Sequence, residues 1–69
     1  MLSFDSNLRH HRLKAGYSQE RLAQKLGVSR QTVVNIEKGE NEPKIFLALA
    51  LAALLGVAVN ELFKRRDSL

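Results

Sequence analysis

The sequence has no cysteine, no tryptophan and one proline among its 69 residues. Without thiols there are no disulfide staples and no thiolate metal sites, so a reducing compartment, the cytoplasm, is the expected setting. Aromatic residues are only 6% of the chain, which leaves the core to Leu, Val, Ile and Ala. The opening MLSFDSN carries neither the basic lead nor the apolar core of a signal peptide, and no run reaches the ~20 apolar residues of a membrane helix. A soluble chain with no membrane partner is expected. The only histidines, His10 and His11, are adjacent and point about 100° apart on a helix, so they cannot share a metal. Scattered acids and no positioned base leave no activated nucleophile. Neither an enzyme nor a cofactor, metal or small-molecule site is expected.

What is present fits one domain, 1–69, with its core at about 7–64. A chain this short buries only about 60% of its unfolded surface, so association with a second copy would help it. Eleven Lys and Arg against seven Asp and Glu give a net charge of +4, the balance of a polyanion binder. Many small basic proteins bind no nucleic acid, so charge alone decides nothing.

The informative stretch is Gln19 to Lys38, QERLAQKLGVSRQTVVNIEK. Its spacing of apolar residues (Leu22, Leu26, Val28, Val33, Ile36) predicts two short helices crossing at a tight turn. Ala23 is small where the helices approach, and Gly27 sits where the chain must turn with positive φ. Ser18 and Ser29 are placed to cap the two helices. This pattern resembles the helix-turn-helix, whose second helix enters the DNA major groove. More narrowly, Gln19, Ala23, Gly27, Ser29, Glu37, Gly39 and Pro43 in one register resemble the phage repressor and Cro type, the Xre-like family, from Leu8 to about Phe63. The resemblance implies an all-α, five-helix domain in which the second and third helices form the helix-turn-helix.

In chain order, Ser6 or Asn7 can cap a first helix that Gly16 stops after about Ala15. Leu8 and His11 face inward, and His11 stands where the family has an aliphatic residue. The resemblance implies that Arg12 pairs with Glu37, tying the first helix to the third; a solvated arginine is the alternative. Gln19 lies in the first turn of the second helix, where free amides and the dipole favour a phosphate. It could equally buttress the third helix. Arg30, Gln31, Val34 and Asn35 share the outward arc of that helix. Arginine can clasp guanine, glutamine and asparagine can pair with adenine, and a valine methyl can meet the thymine methyl. In the family these positions face base edges; the alternative is an ordinary exposed helix face. Ser29 and Thr32 suit phosphates. Lys38, Asn41 and Lys44 are the remaining backbone contacts, since Glu40 and Glu42 replace the basic or amide residues the family carries there.

The fourth helix, from Ile45, is apolar on every face. Ile45, Ala48, Leu49, Leu51, Ala52 and Leu55 are expected in the core, leaving Phe46, Ala50 and Ala53 as a second stripe. Either the helices around it bury this stripe or it forms a subunit interface. A phenylalanine there should be covered, by a twofold mate or by the chain's own Leu2 and Phe4 folding back. A fifth helix is expected from about Asn60 to Lys64, followed by a loose basic tail. The function implied is sequence-specific binding of double-stranded DNA by a homodimer that regulates transcription, most often as a repressor. An antitoxin or restriction-modification controller of the same fold, or a protein-interaction module that has lost DNA contact, are the alternatives.

Overall fold

A computed structural model describes residues 3–66, which form five helices and two short strands. In chain order these are β1 (Phe4–Ser6), α1 (Leu8–Lys14), α2 (Gln19–Leu26), α3 (Arg30–Glu37), α4 (Ile45–Leu55), α5 (Val59–Leu62) and β2 (Phe63–Arg65). The helix starts follow from local chemistry. Ser18 Oγ accepts from the Arg21 N–H and Ser29 Oγ from the Thr32 N–H, each satisfying one amide that its helix leaves free. At α5 the Glu61 carboxylate accepts from the Ala58 N–H at 3.0 Å. α1 has no such cap from Asn7; the Ser6 hydroxyl accepts weakly from the Leu8 N–H at 3.4 Å.

Every helix contributes one fully buried side chain to a single centre: Leu8, Leu22, Val33, Leu51 and Leu62. Burial of each stabilises the fold by about 1.5–3 kcal/mol, so no helix can leave without opening the core. Tyr17, Leu26, Val28, Leu55 and Phe63 pack around this centre.

The fold departs from the all-α expectation at its ends. β1 and β2 pair antiparallel, with Asp5 opposite Lys64, so the first and last described residues are stitched together. Phe4 meets Phe63 edge to face, with ring centroids 5.9 Å apart. The Arg66 N–H donates to the Ser3 carbonyl at 3.0 Å, and the Arg66 guanidinium pairs with Asp5. Lys64 to Arg66 of the tail expected to be loose are therefore held in place, and 67–69 lie outside the described residues. α5 begins at Val59 and ends at Leu62, because Phe63 turns extended to join the strand.

α4 also departs from expectation. Ala48, Leu51 and Ala52 face the core, but Ile45 is 64% exposed and Leu49 48%. A helix apolar all round has no bias that fixes which face turns inward. Phe46 is 81% exposed, and Phe4 packs on Phe63 instead of covering it. Leu2 lies outside the described residues.

Candidate nucleic-acid interface

The turn between α2 and α3 is built as the sequence requires. Gly27 has φ 71°, the left-handed region that a glycine enters without strain. The Val28 N–H then reaches back to the Ala23 carbonyl at 3.0 Å, closing α2 and turning the chain into α3. Ala23, 3% exposed, sits in the buried contact between the two helices.

α3 is thereby fixed with Val33 and Ile36 inward. Arg30 and Gln31 are exposed, while Val34 and Asn35 are partly exposed. Gln31 Nε2 donates to Asn35 Oδ1 at 2.8 Å, so two amides one turn apart present a joined polar edge. Amides can in general both donate to and accept from an adenine edge, which carries one acceptor and one donor in the major groove.

A chain of polar contacts runs from the core to this arc. Arg12 Nε donates to Glu37 Oε2 at 2.5 Å, and Arg12 Nη1 donates to the Tyr17 carbonyl at 2.8 Å. Gln19 Nε2 donates to Glu37 Oε1 at 3.0 Å, and Gln19 Oε1 accepts from Arg30 Nη2 at 2.9 Å. The side chains of Arg12 and Glu37 are only 7% and 5% exposed, so one pair of fully engaged charges anchors the relay. The sequence pointed to Arg12 with Glu37, and to Gln19 as phosphate contact or buttress. Its bonds to Glu37 and Arg30 are those of a buttress on α3, while the Tyr17 carbonyl was not foreseen, since nothing in residue type marks a backbone acceptor five positions away.

The remaining expected backbone contacts flank α3. The Ser29 and Thr32 hydroxyls lie 2.8 Å apart at its start, and Lys38 caps its end. Asn41 and Lys44 are exposed on the connection to α4. Thr32, Asn41 and Lys44 line a groove of about 790 Å3, whose rim also carries Glu40 and Glu42. The N–H groups of Glu40 and Asn41 both donate to the Asn35 carbonyl, so this stretch is folded back on α3. His11 is half-buried, its ring against that of His10 at 5.1 Å. Among the described residues no cluster of His, Asp or Glu could hold a metal ion, and no helix is long and apolar enough to cross a membrane.

Comparison with known proteins agrees with this geometry. The HTH_3 helix-turn-helix family model matches residues 8–62. MJ0272, an uncharacterized HTH-type transcriptional regulator of Methanocaldococcus jannaschii, is 42% identical over 62 residues, which are 90% of this chain and 94% of the relative. The transcriptional repressor RstR of the cryptic phage CTXphi, from Vibrio cholerae, is 36% identical over 86% of this chain, which spans about half (53%) of that protein. The crystal structure of the hypothetical transcription factor NHTF from Neisseria superposes with a TM-score of 0.71 at 34% identity, covering 80% of this chain and 62% of that one. With the family model spanning residues 8–62 and MJ0272 matched over nearly its whole length, the chain belongs to the Xre-type helix-turn-helix family.

Proposed function

We propose that the protein binds double-stranded DNA in a sequence-specific manner and regulates transcription in the cytoplasm as a homodimer, acting as a repressor by occupying its operator. The observation that carries this is the arc of Arg30, Gln31 and Asn35 on a helix whose opposite face is locked in the core and whose first residue is held by Gln19. Arg30, Gln31 and Asn35 read base edges, with Val34 meeting a thymine methyl. Gln19, Ser29, Thr32, Lys38, Asn41 and Lys44 hold the phosphates. One such helix reads a few base pairs. Two related by a twofold axis read half-sites about 34 Å apart and multiply the discrimination.

Glu40 and Glu42 on the groove rim favour a second reading, a protein-interaction module that has lost DNA contact. Selection of bound sequences from a random duplex pool separates the two. Enrichment of a palindrome with half-sites one helical turn apart supports the operator-binding dimer, and an unenriched pool supports the interaction module.

A further inference from the structure

α4 carries two apolar faces, and the fold uses one. Ala48, Leu51 and Ala52 are buried, while Ile45, Phe46, Leu49, Ala50 and Ala53 are exposed. Phe46, Leu49, Ala50 and Ala53 recur at helical spacing and share one side of the helix, with Ile45 beside Leu49. Phe46, at 81% exposure, contributes on the order of 150 Å2 by itself. The stripe belongs with the apolar patches of about 300–600 Å2 that mark interaction surfaces on monomers.

We infer that a second copy of this chain covers this stripe, with the two α4 helices antiparallel across a twofold axis near Leu49 and Ala50. The inference deepens the homodimer reading, on which it rests, by naming the face that joins the copies. The shape of the stripe argues for it. Its bulk lies at one end, in Phe46, and its smallest residues at the other, in Ala50 and Ala53. Antiparallel pairing sets Phe46 against the partner's Ala53 and the partner's Phe46 against Ala53, so a large side chain meets a small one at both ends. Parallel pairing would set the two phenylalanines against each other and leave the alanines apart.

Charge argues the same way. No charged residue falls between Ile45 and Leu55, so the contact buries no ion. A twofold contact is self-complementary in this sense: what residue i does to j, j does to i. The stripe is smaller than the ~800 Å2 per partner of a standard interface, so the dimer depends on concentration and is reinforced when both copies sit on one operator.

The absence of native cysteine makes the test clean. In an antiparallel pair, Ala50 lies next to the axis, so the single variant Ala50→Cys should oxidise to a covalent dimer. A mixture of Phe46→Cys and Ala53→Cys should give the mixed disulfide, and Arg9→Cys, on exposed α1 surface, should stay monomeric on a denaturing gel. In sedimentation velocity, Phe46→Glu should shift the wild-type dimer to monomer mass with its helical circular dichroism unchanged, since Phe46 is outside the core. A wild-type dimer in which Ala50→Cys fails to cross-link and Phe46→Glu stays dimeric overturns the α4 interface and leaves the homodimer reading intact. Wild-type protein that is monomeric at every concentration and binds duplex as a monomer overturns both.

Discussion

Arg12 and Glu37 stand 25 positions apart in the chain, yet the Arg12 guanidinium donates to both carboxylate oxygens of Glu37, at 2.5 and 3.4 Å. The pair joins α1 to the last residue of α3 inside the protein. Desolvation offsets much of its attraction, so its effect is to fix the pose of α3 more than to add net stability. Gln19 extends that fixation outward to Arg30.

Breaking one partner of this pair should be costly. Arg12→Met or Glu37→Leu alone leaves a buried charge without its counterion and should lower stability by about 3–5 kcal/mol, read from urea unfolding followed by circular dichroism. The double variant Arg12→Met, Glu37→Leu should recover most of the loss. A double variant as unstable as the sum of the singles would show that the two groups act separately.

Gln19→Ala should leave stability within about 1 kcal/mol, because it removes hydrogen bonds at a half-exposed site. Its effect should fall on DNA affinity, since Arg30 loses the acceptor that orients it. Unchanged operator binding would place Gln19 outside the interface.

Gly27→Ala tests the turn in isolation. A Cβ on Gly27 would meet nothing within 4 Å, so the only cost is the left-handed backbone at φ 71°. That cost should be about 1–2 kcal/mol in thermal or urea unfolding, with the native spectrum retained. A neutral or stabilising substitution would show that the turn relaxes.

Base and phosphate contacts should separate by their pattern across sequences. Gln31→Ala or Asn35→Ala should relax preference at single positions of each half-site, at a cost of about 1–3 kcal/mol on the preferred sequence. Lys38→Ala should weaken all duplexes alike. Identical behaviour of the two classes would refute the assignment of the α3 arc.

The sequence shows α2, the turn and α3 clearly, because capping serines, an αL glycine and inward apolar spacing all act within a few residues of one another. It also shows the Arg12–Glu37 pair, though only through family resemblance. The β1–β2 pairing is hidden because three-residue strands are too short for alternation, and Asp5 and Arg66 stand 61 positions apart in the chain. The orientation of α4 is hidden for the opposite reason. With apolar residues at every position, periodicity cannot rank Ile45 and Leu49 against Ala48 and Ala52, although of these four only the alanines are buried.

The proposed DNA-binding surface on α2, α3 and their flanks is charged and polar, so its contacts with phosphates are read by equilibrium binding of wild-type protein to duplex DNA over a series of salt concentrations. A dimer neutralising on the order of 8 phosphates should show log affinity falling with log salt at a slope of about −7. Affinity that is flat across the series, or binding undetectable at low salt, would contradict it.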